Sequence, residues 1–358
     1  MFDVKKIVRR NIQELVPYSS ARAEFNGTAS VWLDANENCF GSPVGKDLNR
    51  YPDPLQVKLK ASIANWKETA PNNIFLGNGS DEAIDLLFRI FCEPGKDNVI
   101  ICPPTYGMYE VSANINDIAV RIAPLTPSFQ LDIPVMWNCI DPNTRLIFIC
   151  SPNNPAGNNM NRGAILTMCR NFDGIVVVDE AYIDFSEQAS LLDELDSTPN
   201  LVILQTFSKA MGMAGIRLGM AFASVEIISL FNKVKAPYNV SEITQRCALE
   251  VLGKKSEIDI SIKQILTERE RLERELKSCG IVKRIYPSSA NFLLVKVEDA
   301  EKVYEELKKK GVIVRDRSNV RLCEGCLRIT VGTEGENELL IKIFKELRIA
   351  KNEPLKKT

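Results

Sequence analysis

Five short apolar runs punctuate the middle of the chain: "NVIIC" (98–102), "RLIFIC" (145–150), "GIVVVD" (174–179), "NLVILQ" (200–205) and "GMAFAS" (219–224). Each is about the length of a strand, and most are rich in Val and Ile with no polar alternation. A half-exposed strand alternates polar and apolar residues. A run that is apolar on both faces is buried on both, as in a parallel sheet covered by helices. Helical patterns lie between or beside the runs. One of them, Ser80 to Phe91, sets Ala83, Ile84, Leu87, Ile90 and Phe91 on one stripe. The alternation predicts an α/β fold with a mostly parallel sheet between helices.

After residue 253 the pattern changes. "KKSEIDISIKQILTERERLERELKSCG" reads as one long, charged, amphipathic helix stopped at Gly280. A strand "NFLLVKV" (291–297) follows, then a helix near 299–310, strands "GVIVRD" (311–316) and "CLRITVG" (326–332), and a last helix over roughly 336–348. This is a smaller α+β unit, and 358 residues suit two units. The expected division is an N-terminal arm with part of the small domain (1–44), a large domain (45–265) and a small C-terminal domain (266–358). The first 40 residues show no sheet partner in the middle, so they are expected to pack with the small unit or to reach a second subunit.

Composition removes several functions. Lys and Arg number 45 against 46 Asp and Glu, a net charge of −1, which argues against a nucleic-acid partner. No apolar run is long enough to span a membrane, and "MFDVKKIVRRNIQELVPY" has no apolar core of a signal peptide, so a cytoplasmic location is expected. The ten cysteines are scattered, mostly within apolar runs, as reduced buried thiols are. Cys323 and Cys326 form a lone CxxC with no second pair, and it reads as a turn containing Gly325 rather than a zinc site. The chain has no histidine. That excludes Ser–His and Cys–His catalysis and His-ligated metals, so proton transfer near neutrality falls to Lys, Tyr, Cys or a carboxylate with a shifted pKa.

Open α/β sheets bind ligands beyond the carboxyl ends of their strands. Beyond "RLIFIC" stands "SPNNPAG" with Asn153 and Asn154. "GIVVVD" closes on Asp179 and leads to Tyr182. "NLVILQ" leads into "TFSKAMGMAGIRLG" with Thr206, Ser208, Lys209 and Arg217. "NVIIC" leads to Tyr106. A Gly-rich turn, "LGNGSDEA", enters a helix at Ser80 and Asp81, where free N–H groups and the helix dipole favour an anion. Taken singly, each of these is an ordinary cap, turn or strand end. Together they suit a planar, phosphorylated aldehyde bonded to a lysine. Its lysine must be neutral to attack a carbonyl, a carboxylate must face the ring nitrogen, and a phosphate must be held.

These residues resemble the fold-type I pyridoxal-phosphate aminotransferases, and within them the histidinol-phosphate aminotransferase family, from "LVPYSSAR" to "CLRITVGT". The resemblance implies pyridoxal 5'-phosphate as cofactor, with Lys209 bonded to it and shuttling the proton. It places Asp179 on the ring nitrogen, Asn154 and Tyr182 on the ring oxygen and Tyr106 over the ring. Ser208, Arg217 and the backbone of Ser80 and Asp81 hold the phosphate, assisted by Thr206. Tyr51, in "RYPDP", matches a tyrosine that reaches the cofactor phosphate of a neighbouring subunit, which implies a homodimer.

For the substrate, Arg328 matches the common carboxylate-binding arginine, Arg315 lies thirteen residues before it, and Tyr18 matches a tyrosine of the N-terminal arm. Two guanidiniums and a phenol suit a phosphate ester. A surface salt bridge from Arg315 to Asp316 or Glu324, and packing of Tyr18, are the plainer readings. The implied reaction passes an amino group between glutamate/2-oxoglutarate and histidinol phosphate/imidazole-acetol phosphate. An aromatic amino-acid aminotransferase and a phosphothreonine decarboxylase of the same fold are the alternatives. A non-catalytic cofactor-binding regulator would need a DNA-binding extension and a basic excess that the chain does not display. Two positions depart from the family pattern: Cys39 in "NENCFG" replaces a proline, and Ala156 in "NNPAG" replaces a threonine.

Overall fold

The computed structural model describes residues 2–18, 29–45 and 48–352. Seven strands form the large sheet: β1 (Ile74–Asn78), β2 (Asn98–Ile101), β3 (Ala119–Ile122), β4 (Thr144–Cys150), β5 (Ile175–Asp179), β6 (Leu201–Thr206) and β7 (Leu218–Phe222). Their order is β1-β7-β6-β5-β4-β2-β3. The neighbours β6-β5-β4-β2-β3 pair in parallel, while β7 runs antiparallel to both β1 and β6.

The apolar runs are buried on both faces for the expected reason. Along β4, Ile147 and Ile149 point into one core with Val176, Val178 and Ile203, while Leu146 and Phe148 point into the other with Val177, Val202 and Leu204. Successive side chains alternate faces, so a strand between two helical layers needs apolar residues at every position. The helix predicted at Ser80–Phe91 spans Gly79–Phe91, with its apolar stripe against the second core.

The run "GMAFAS" is a strand, but antiparallel, contrary to the parallel reading of these runs. Periodicity reports burial, not direction, so it could not separate the two. β1 and β3 lack so long an apolar run: β1 ends on Gly77 and the exposed Asn78, and β3 sits at the sheet edge, half-exposed.

The small unit has four antiparallel strands, β8 (Val282–Ile285), β9 (Phe292–Val297), β10 (Arg315–Asp316) and β11 (Cys326–Thr330), in the order β10-β11-β9-β8. The run 311–316 keeps only its last two residues as strand, and β8 was not anticipated. The long charged segment is the helix Lys255–Lys277, which ends before Ser278. Leu293, Val295, Leu327 and Ile329 pack against Leu272, Leu276, Val303 and Phe344. On the opposite face, Phe292, Leu294 and Cys326 join the core of the large unit. The small sheet is thus sandwiched between its own helices and the large unit.

The N-terminal arm was expected to pack with the small unit or to reach a second subunit; its described residues 2–14 lie on the large unit. Val8 and Ile12 are buried with Phe88 and Phe91, the Arg9 N–H donates to the Ile90 carbonyl at 3.0 Å, and Arg9 pairs with Glu93 at 3.2 Å. Among its described residues the arm carries two buried apolar ones, too little pattern to reveal which surface they cover. All ten cysteines are free; seven are buried, and burial pushes Cys102 and Cys323 up to about 12. Among the described residues, no helix is long and apolar enough to cross a membrane.

Candidate active site

β7 reverses the chain, and this reversal assembles the site. The chain leaves the carboxyl end of β6 at Thr206, passes Ser208 and Lys209, and returns into β7 through Arg217, so all four lie at one end of the sheet. Arg217 adopts φ 54°, the left-handed conformation, which costs a non-glycine residue about 1–2 kcal/mol. The neighbouring contacts hold it there: the Gly79 N–H donates to its carbonyl at 2.7 Å.

β7 also presses on the start of the helix Gly79–Phe91. A Cβ on Gly219 would stand 2.1 Å from the Gly79 carbonyl carbon and the Ser80 nitrogen, so only glycine allows this approach. The helix start has no side-chain cap. The Gly79 N–H is taken by the Arg217 carbonyl, but those of Ser80 and Asp81 have no intrahelical acceptor and are available to an anion.

One pocket of about 160 Å³ gathers these elements. Ser80, Asp81, Tyr106, Asn154, Asp179, Tyr182, Thr206, Ser208, Lys209 and Arg217 all line it. Asp179 forms the buried floor: the Tyr109 hydroxyl donates to one carboxylate oxygen at 2.7 Å and the Ala181 N–H to the other at 3.0 Å. Burial raises its pKa above the ordinary carboxylate value, and the two donors and Lys209 oppose that rise.

Lys209 keeps contact with solvent at the pocket mouth, and its ammonium lies 5.7 Å from the Tyr182 ring centre. Its pKa is held below the usual lysine value, first by loss of water inside the pocket and then by the Arg328 charge. Burial likewise raises the Tyr182 and Tyr106 phenols.

The anion end is arranged around Arg217. Its guanidinium pairs with Asp81 at 3.2 Å, and the Tyr106 hydroxyl donates to the other Asp81 oxygen at 3.1 Å. Thr206 Oγ1 accepts from the Ser208 N–H at 3.1 Å, which orients the turn. At the far side, the Arg328 guanidinium donates to the Asn154 side-chain oxygen. This bond ties the small sheet to the rim of the pocket.

A phosphorylated pyridine aldehyde fits these residues. The uncapped helix start, Ser208 and Arg217 suit a phosphate, the buried Asp179 suits a protonated ring nitrogen, and Lys209 suits a carbonyl carbon.

Four predicted residues stand outside this pocket, Tyr18, Tyr51, Arg315 and Arg328, the last joined to it through Asn154. Tyr18 is 75% exposed. Tyr51 stacks on Tyr238, with ring centres 4.4 Å apart, and lines a separate surface groove with Asn36 and Glu37. Arg315 is the cross-strand partner of Arg328. No ion pair joins Arg315 to Asp316 or Glu324 among the described residues; Asp316 accepts from Ser318, and Glu324 from the Leu322 N–H. Sequence reasoning missed Tyr109 and Cys150. Tyr109 is fully buried, in parallel contact with Phe148 at 4.9 Å. Its place three residues past Tyr106 was the available signal, but an apolar helix face explains that spacing equally well.

A fold of this kind with a lysine at the end of β6 defines a class. The family model for aminotransferase class I and II matches residues 22–344, and the chain belongs to that pyridoxal-phosphate-dependent family. Within it, a histidinol-phosphate aminotransferase of Parabacteroides distasonis is 54% identical over 98% of this chain and 100% of its own length. The crystal structure of the histidinol-phosphate aminotransferase from Clostridium acetobutylicum superposes with a TM-score of 0.78 at 27% identity, covering 85% of this chain and 92% of that one. The Sinorhizobium meliloti enzyme, solved with pyridoxal-5'-phosphate, shares the fold with a TM-score of 0.78 at 23% identity, over 88% of this chain and 90% of that one.

Proposed function

We propose that this chain is a pyridoxal-phosphate-dependent transaminase that passes an amino group between glutamate/2-oxoglutarate and imidazole-acetol phosphate/histidinol phosphate. The observation that carries the reading is the convergence of Lys209, Asp179 and the anion end on one pocket, with Arg328 at its rim. The identity to the relatives named histidinol-phosphate aminotransferase supports the substrate.

When bound, the cofactor supplies the carbonyl that carries the amino group and the ring that draws electrons from the substrate. Lys209 would hold the cofactor at that carbonyl carbon and would move the proton at the substrate Cα; its lowered pKa makes the free amine available closer to neutrality. Asp179 keeps the ring nitrogen protonated. Asn154 and Tyr182 hold the ring oxygen, and Tyr106 covers the ring. Ser208, Arg217 and the Ser80 and Asp81 N–H groups hold the phosphate, with Thr206 orienting the turn. Arg217 exchanges Asp81 for the phosphate as partner. Arg328 takes the carboxylate of glutamate, and Arg315 with Tyr18 the substrate phosphate.

The working unit is a cytoplasmic homodimer in which Tyr51 reaches the phosphate site of the second copy. Its support is that Tyr51 lies outside the pocket of its own chain while Leu33, Phe40, Val44 and Val57 nearby are largely exposed. Steady-state rates with histidinol phosphate, phenylalanine and O-phosphothreonine test the substrate. Histidinol phosphate should have the highest kcat/KM, and a preference for phenylalanine would overturn the reading.

A further inference from the structure

The small sheet brings a third arginine beside Arg315 and Arg328. Arg315 and Arg328 face each other across β10 and β11, and the ladder continues because the Arg317 N–H donates to the Cys326 carbonyl at 2.9 Å. Side chains alternate across a strand, so Arg315 and Arg317 share a face, and Cys326 and Arg328 share it with them. That face looks toward the large unit and the pocket. Cys326 is buried in the large unit's core and Arg328 reaches Asn154, while Leu327 and Ile329, of opposite parity, fill the small unit's own core.

Among the described residues, no carboxylate pairs with any of the three guanidiniums. Arg328 meets a neutral amide, and Arg317 Nε is buried with no hydrogen-bond partner. Burial and the charges of Arg328 and Arg315 hold Arg317 below the usual arginine value, so the cluster repels itself. Tyr182 of the pocket lies close enough to Arg317 for the two to interact electrostatically. A buried donor left unpaired among like charges is costly unless an anion arrives to satisfy it. If Arg317 served only to pack the turn around Cys323, its donor would have no reason to remain unpaired.

We propose that Arg317 is a specificity-determining ligand of the substrate site, holding a phosphate monoester together with Arg315 and leaving Arg328 to the carboxylate of the second substrate. Three guanidiniums then serve two anions of different shape, a dianion that accepts several donors and a carboxylate that takes one bidentate pair.

The inference rests on the substrate reading above, and its test separates the two. The holoenzyme and its Arg317→Gln and Arg317→Lys variants are compared in the two half-reactions, with glutamate and with histidinol phosphate, and inorganic phosphate is titrated as a competitive inhibitor. Arg317→Gln should weaken histidinol phosphate and inorganic phosphate by roughly 10- to 100-fold, with the glutamate half-reaction changed less than about twofold. Arg317→Lys, which retains a charge but not the fork, should fall between Gln and the wild type. Equal losses in both half-reactions, or no loss of phosphate affinity in either variant, would show a packing role and overturn the proposal. If the wild type ignores histidinol phosphate while phosphate inhibition still depends on Arg317, the anion ligand stands and the substrate reading falls.

Discussion

Lys209 and Asp179 are opposite cases of burial acting on charge. Loss of water lowers the lysine and raises the carboxylate, and in each the neighbouring charge of opposite sign opposes the shift. Lys209→Ala should abolish turnover and remove the visible absorbance of lysine-bound cofactor, read directly from the spectrum. Asp179 makes a sharper case. Its folded pKa lies above the unfolded value, so stability is lost as pH rises from the unfolded pKa through the folded one, and at neutral pH its burial is a burden on the cofactor-free chain. Asp179→Asn mimics the protonated form, and its amide can donate to the Tyr109 oxygen. The cofactor-free variant is therefore expected to melt no lower than the wild type at pH 7 while activity falls roughly 100-fold or more. A variant that melts lower yet keeps its activity would contradict both halves. Both residues were legible in the sequence because each ends an apolar run. Tyr109 was not, since a buried tyrosine on a helix looks like any core aromatic until its hydroxyl is seen on Asp179.

At the level of elements, the phosphate end depends on β7 returning against β1 and β6. Gly219 is where this return meets the helix that begins at Gly79. Gly219→Ala puts a methyl group 2.1 Å from backbone atoms, which cannot rotate away as a side chain can. Overpacking of this kind costs about 1–3 kcal/mol. We expect a lower melting temperature together with weaker cofactor binding, measured by equilibrium dialysis, because the backbone that must shift is the backbone proposed to hold the phosphate. The glycine-rich turn "LGNGSDEA" displayed the helix start in the sequence. It did not display the strand that would be laid against it, because contacts between residues 79 and 219 leave no local pattern.

For the molecule as a whole, Tyr51 and Lys209 should belong to one site drawn from two chains. In an isologous dimer each site would take Lys209 from one copy and Tyr51 from the other. Mixing Lys209→Ala with Tyr51→Ala chains, after dissociation and reassociation, should then regenerate about a quarter of the wild-type sites by statistical pairing. Activity no greater than the sum of the separate variants would mean that Tyr51 serves its own chain or none. The N-terminal arm carries a related lesson. Its Val8 and Ile12 cover the large unit rather than the small one, and two apolar residues in a charged segment could not have said so.

The sequence by itself determined the layered α/β core, because burial on both faces of a sheet demands unbroken apolar runs, and it determined the chemistry, because reactive side chains sit where those runs stop. Only the tertiary structure decided the direction of β7, the surface covered by the arm, and the gathering of Arg315, Arg317 and Arg328 on one face opposite Asn154. Those features arise from pairings between segments far apart in the chain. A periodicity read along the chain reports how each residue is buried, not which distant residue buries it.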